Sequence, residues 1–268
     1  MNKFCVAGAL LVFTALPVAE ARDHCMPSGR GCGPGNPAQA AADDAASLQP
    51  DALWAAPGGP HPRVAPIDST PGGQSYGRWA AEWWKWVLSV PAAQNPLADN
   101  DPDGANCAVG QVDKVWFLAG SPRSGTVRTK CVVPAGRALF FPLVNNAYFA
   151  FPEDPADERT DFFARTKARC TEAAQFSEVS IDGVQVRNPA RYFTGVQGSR
   201  SPIFKALLPA DNVFTQPAGA EMNPSAEQGY YLFVWPLPAG RHVIHWIASG
   251  CTAGNMQDVT YHLTVTPR

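Results

Sequence analysis

The stretch GYYLFVWPLPAGRHVIHWIASG, residues Gly229 to Gly250, decides the fold class. Its two ends, GYYLFVW and RHVIHWIA, are rich in aromatic and β-branched residues, and the segment between them holds two prolines and a glycine. Short runs of this kind separated by turn residues are strands. Working outward, KVWFLAG, TVRTKCVV, ALFFPLV, EVSIDGVQV, IFKALLP and VTYHLTV follow the same rule. Asp182-Gly183 between Ile181 and Val184 is a two-residue hairpin signal. Many short strands joined by Gly/Pro turns predict a mainly β protein, a β-sandwich or jelly-roll-like domain.

Two helices interrupt the pattern. In GGQSYGRWAAEWWKWVLSVP, at 100° per residue, Tyr76, Trp79, Ala80, Trp83, Trp84, Trp86, Val87 and Val90 share one arc; Arg78, Glu82, Lys85 and Ser89 share the other. Ser75 is placed to cap this helix, near residues 75–90, and Pro91 to stop it. A second helix is predicted over 155–176, with Pro155 in its first turn and Asp154 as its cap. Sandwiches have edges and open ends, so the tryptophan face is expected to be packed inside rather than displayed.

The ends of the chain carry a different message. Lys3, the apolar run Phe4 to Ala19 and the small residues Ala19 and Ala21 read as a signal peptide over residues 1–21. Residues 22–73 are rich in Pro, Gly and Ala and predict a disordered tether, leaving 74–268 as a single domain. No apolar run approaches the roughly 20 residues of a membrane span. Export to the periplasm or exterior is therefore expected. Cys5 would leave with the signal, and the six remaining cysteines suit an oxidising compartment. Six cysteines allow 15 pairings; the expected set is Cys25–Cys32, Cys107–Cys131 and Cys170–Cys251. The net charge of −2 offers no basic stripe for nucleic acid.

Several motifs could carry chemistry, and each also has a plainer role. Gly73-Gln74-Ser75-Tyr76-Gly77 has the spacing of a hydrolase nucleophile elbow, but a loop precedes it where the elbow needs a strand. Asp99, Asp101 and Asp103, followed by Gly104, match the first half of a calcium loop, with Gly110 where the bidentate glutamate belongs. His242 and His245 fall on opposite faces of a strand. If Ala248 lies opposite Val259, His245 faces His262 on the outer side, a candidate metal pair without an evident third ligand. Glu153, Asp154, Asp157, Glu158 and Asp161 suit a helix start better than a glycosidase pair. Trp84, Trp116, Trp235 and Trp246 are the candidate ligand-binding aromatics.

Taken together, WWKWVLSVPAAQNPLAD, GANCAVGQVDKVWFLAG and RTKCVVPAGRALFFPLVN resemble a family of exported bacterial proteins of unknown function. The shared pattern is W-x2-W, then NP-x2-D, C-x2-GQ-x4-WFLAG and C-x2-PAG-x-ALFFP. The pieces from VSIDGVQV to ADNVF, then GYYLFVWPLPAGRHVIHW and DVTYHLTV, extend it from about Trp79 to the C-terminus. The resemblance implies no reaction, ligand or catalytic residue. What remains is an expected non-catalytic binding or structural protein of the cell envelope or exterior, with an envelope component or glycan as partner. The alternatives are an extracellular hydrolase of a polymer and a carbohydrate-binding protein using exposed aromatics.

Overall fold

The computed structural model describes residues 61, 63–111 and 114–267. The expected signal peptide and the expected Cys25–Cys32 pairing lie outside these. Among the described residues ten strands form two sheets: β1 (Val115–Phe117), β2 (Thr126–Arg128), β3 (Val132–Pro134), β4 (Ala138–Phe149), β5 (Glu172–Ile181), β6 (Val184–Gln185), β7 (Phe204–Leu207), β8 (Glu221–Val234), β9 (Gly240–Cys251) and β10 (Met256–Thr266). The four-stranded sheet has the order β1-β4-β8-β7. The larger sheet runs β2-β10-β9-β5-β6, with β3 also on β10. The β1–β4, β2–β10 and β3–β10 pairs are parallel and the others antiparallel. The fold is a β-sandwich.

Period-two alternation sorts the side chains between the layers. Phe141 stacks on Trp246 with ring centroids 5.1 Å apart, and Trp246 stacks on Tyr261 at 6.1 Å. With Leu232, Ile244, Val259 and Leu263, all buried, they fill the space between the sheets. The register of β4 on β8 shifts between Pro142 and Val144. Pro142 has no N–H for the ladder, and an irregularity is how a long paired strand accommodates it. Beyond the shift, Asn145, Ala147 and Phe149 pair with Gly229, Glu227 and Ser225. A Cβ on Gly229 would sit 2.4 Å from that of Asn145, so this pair needs the glycine.

Helix α1 (Tyr76–Ser89) covers the outer face of the four-stranded sheet. Ser75 Oγ accepts the Arg78 N–H at 3.4 Å, which makes this serine a cap and not the nucleophile of an elbow. The four tryptophans are buried, Trp83 at 1% exposure. Their rings meet the sheet edge-on or tilted: Trp79 on Phe233, Trp83 on Tyr231, Trp84 on Phe149. Trp79, Trp83 and Trp86 donate their indole N–H groups to the carbonyls of Pro71, Leu118 and Val109. Tryptophan suits this layer because each ring brings a large apolar area, and three of the four bring a donor that neighbouring loops satisfy; the buried Trp84 Nε1 has no hydrogen-bond partner among the described residues. At Gly77 a Cβ would lie 2.3 Å from the Arg200 carbonyl carbon, so the helix meets the 199–200 backbone only without a side chain there.

Three expectations need correction. The tether does not extend to residue 73. Val64 bridges Val234, Ala65 N donates to the Phe233 carbonyl and Trp235 N to that of Arg63, so this segment belongs to the domain. The second helix is only α2 (Asp161–Lys167), capped by Thr160, whose Oγ1 accepts the Phe163 N–H. Asp154 instead closes a turn by accepting the Phe151 N–H, and residues from Glu172 onward are strand. The Cys170–Cys251 disulfide and the pairing of Glu172 with Cys251 hold that segment against β9, which ends the helix. The β9–β10 register differs by two residues from the one expected: Val259 lies opposite Trp246, and the hairpin closes by Gly250 N donating to the Asn255 carbonyl. Cys107–Cys131 and Cys170–Cys251 are bonded as the expected pairing has them.

Candidate functional site

The outer side of α1 forms one wall of an open groove of about 410 Å³. Arg78, Ala81, Glu82 and Lys85 come from the helix, and Pro202 to Lys205 from the opposite wall, with Gln74 and Asn223 also in the lining. The helix contributes these four because they share the arc left after the tryptophans have claimed the sheet-facing side. Three cations and one carboxylate thus converge in a chain of net charge −2. Lys85 Nζ pairs with Glu82 at 2.9 Å and Lys205 Nζ with Glu221 at 3.3 Å. All four side chains are more than a third exposed. Arg78 is exposed, and its guanidinium has no hydrogen-bonding or ionic partner among the described residues.

Beneath α1 lies a polar cluster. Glu227 is 2% exposed. Its Oε2 accepts from the Tyr231 hydroxyl at 2.8 Å and from Thr194 Oγ1 at 3.4 Å, and Asn145 Nδ2 donates to the Tyr231 oxygen at 2.9 Å. Glu227 Oε1 has no hydrogen-bond partner. Burial pushes the carboxyl up to about 8, against the opposing hydrogen bonds from Tyr231 and Thr194. Glu227 is therefore mostly neutral at pH 7. The cluster is bounded by Trp84 and Ser201, each adjacent in sequence to a groove residue, Lys85 and Pro202. The alternation of Glu227, Gly229, Tyr231 and Phe233 in GYYLFVW and the residues before it carried this placement, since all four share one side of β8.

The candidate calcium carboxylates are each engaged elsewhere. Asp99 is paired with Arg123, and Asp103 with Lys130 at 2.6 Å. Asp101 Oδ1 accepts the Asn106 N–H, and burial pushes its carboxyl up. Arg128, fully buried, holds the same loop: its Nε donates to the Asp101 carbonyl, Nη2 to Gly120, and Nη1 to Ala119 and the Tyr261 hydroxyl. Among the described residues no three metal-ligating side chains stand close enough to share an ion.

His245 is opposite Thr260, and His262 is opposite Val243. They are diagonal and not face to face, because the hairpin register is two residues from the expected one. His245 Nε2 lies 3.3 Å from Asp258 Oδ1. His242 has the stronger setting: Nδ1 is 2.8 Å from Asp182 Oδ2 and Nε2 is 2.9 Å from the Pro238 carbonyl. The Asp182 hydrogen bond raises the His242 imidazole above its ordinary value despite burial. Burial works to raise Asp182, but its bonds from His242 and the Val243 N–H leave it lowered.

Of the four aromatics nominated for ligands, Trp84, Trp116 and Trp246 are buried. Trp84 packs on Phe149 and Trp246 between the sheets, so neither can present a ring to a ligand. Trp235 is 39% exposed, its ring edge against Phe233. Comparison with protein-family models, with curated proteins and with solved structures returns no match to this chain. Geometry alone carries the reading of the site.

Proposed function

We propose that this is an exported, non-catalytic binding protein of the cell envelope or exterior. Two disulfides join described residues, and no helix among them is long and apolar enough to cross a membrane. Disulfides persist in oxidising compartments, which supports export. The observation that carries the binding role is the groove: exposed polar and charged side chains line an open surface, while the groups best tuned for chemistry are sealed. Glu227 has the raised pKa that a general acid requires, but it lies under a helix whose tryptophans leave it no opening. A glycosidase needs a second carboxyl across a cleft, and Glu82, the carboxylate lining the groove, is tied to Lys85.

The test is a screen of the purified full chain against envelope glycans and soluble polymers, with reducing-end release measured in parallel. Retention of at least one polymer without turnover supports the reading. Sustained cleavage of any bound polymer replaces it with the hydrolase alternative.

A further inference from the structure

We infer that the groove between α1 and the Pro202–Lys205 wall binds an acidic oligosaccharide, with Arg78, Lys85 and Lys205 holding its carboxylates and Gln74 and Asn223 its hydroxyls. This rests on the binding reading above and gives it a site and a ligand class.

The charge distribution comes first. Arg78 and Lys85 are seven residues apart on one helix, which places their backbone positions about 10 Å apart along the wall. Lys205 stands on the opposite wall. A single small anion reaches one of these positions, whereas a chain with repeated acids spans them. Arg78 is available at once, and its planar fork matches a carboxylate through two parallel bonds. The lysines are held by Glu82 and Glu221 in exposed pairs, which are weak enough for an incoming anion to take them over.

The remaining lining selects among anions. Gln74 offers an amide donor and acceptor, and Asn223, whose Nδ2 also donates to Glu221 Oε1 at 3.2 Å, offers its amide oxygen and second N–H, the complement of neighbouring hydroxyls on a sugar ring. Pro202, exposed, and Ile203, half-buried, give an apolar patch for a ring face and are too few to bury an acyl chain. Single-stranded nucleic acid would need aromatic rings to stack its bases, and the one aromatic of the groove, Phe204, is 6% exposed. An acidic peptide shares the charges and lacks the hydroxyls.

Calorimetry on the full chain tests this with oligogalacturonate as probe, beside a heparin-derived oligosaccharide, oligo-glutamate and uncharged maltotetraose. Oligogalacturonate is expected to bind and to weaken with added salt. Arg78→Ala and Lys205→Ala are each expected to lower its affinity about fivefold to tenfold, and Glu82→Gln to raise it by freeing Lys85. All three positions are exposed or half-exposed, so melting temperatures are expected to stay near that of the parent, which separates lost binding from lost folding. Preference for the sulfated probe keeps the site and changes the acid it reads. Oligo-glutamate binding more tightly than either sugar overturns the ligand class. If a glycan binds with equal affinity to all the variants, the groove is refuted while the binding function stands. If the polymer screen finds no ligand at all, the function and the groove fall together.

Discussion

Arg128 and Glu227 are both sealed from water, at 0% and 2% exposure, yet the protein treats them in opposite ways. Arg128 spends its donors on three carbonyls and the Tyr261 hydroxyl, with its guanidinium 5.2 Å from the Tyr261 ring centroid. It ties the Asp99–Asp103 loop to the Ala119–Gly120 segment and to β10. Glu227 keeps one oxygen without a partner, and burial holds it neutral. A buried charge with a hydrogen bond from every nitrogen acts as a fastener; a carboxyl with one oxygen unpartnered gives up its charge instead. The second kind makes stability depend on pH.

Removing the fastener should have the largest effect. Arg128→Met leaves the Asp101 and Gly120 carbonyls without their side-chain donor and is expected to cost about 3–5 kcal/mol in urea unfolding. A loss below about 1 kcal/mol would break the contrast.

Glu227→Gln comes next and is a gain. The folded carboxyl titrates near 8 against an ordinary 4.5, so its neutral form is favoured in the fold. Its contribution is complete below pH 4.5 and is lost as pH rises towards 8. Glutamine removes that dependence. The variant should match the parent at pH 5 and exceed it at pH 9 by on the order of 3 kcal/mol. Equal stability at both pH values would place the carboxyl in contact with water.

His242 and Asp182 stand between the two extremes, a charge pair at the surface with His242 the more buried partner. The raised histidine contributes fully below 6.5 and loses that as pH climbs through its folded value; the lowered aspartate contributes above 3.8 and loses that as pH falls through its own. His242→Gln is therefore expected to cost about 1 kcal/mol at pH 6 and less at pH 9, read from thermal melts. The smallest effect concerns the loop that Arg128 grips. With Asp99, Asp101 and Asp103 already engaged, calcium and EDTA should give the same melting temperature, and a calcium-dependent rise of several degrees would revive the cation loop.

Much of this architecture was legible in the residues. Local pattern is enough for a two-residue period, for Ser75 and Pro91 at the ends of α1, and for a helix face too aromatic to leave in water. What was not legible depends on distant partners. TEAAQF has helical composition but becomes strand because Cys251 and β9 lie beside it. Val64 and Ala65 look like tether until Val234 and Phe233 give them a ladder. The His245–His262 pairing failed on a two-residue slip that keeps every inward residue inward, so the hydrophobic pattern cannot detect it. Trp84 and Trp246 could be sorted as core or surface only by knowing what covers them. The groove has the faintest trace: the polar arc of α1 is visible, but Lys205 and Asn223 reach it only through tertiary packing.

The two disulfides have a topological effect. The covalent ring closed by Cys107 and Cys131 carries β1 of one sheet and β2 of the other; the ring closed by Cys170 and Cys251 runs through β5, β6, β7, β8 and β9, again drawing on both. A single protease nick anywhere inside either ring leaves one molecule, with strands of both layers still chained together. The cut peptide bond is not remade, but the disulfide keeps the fragments linked, so their strands can pair again without having to find each other by diffusion.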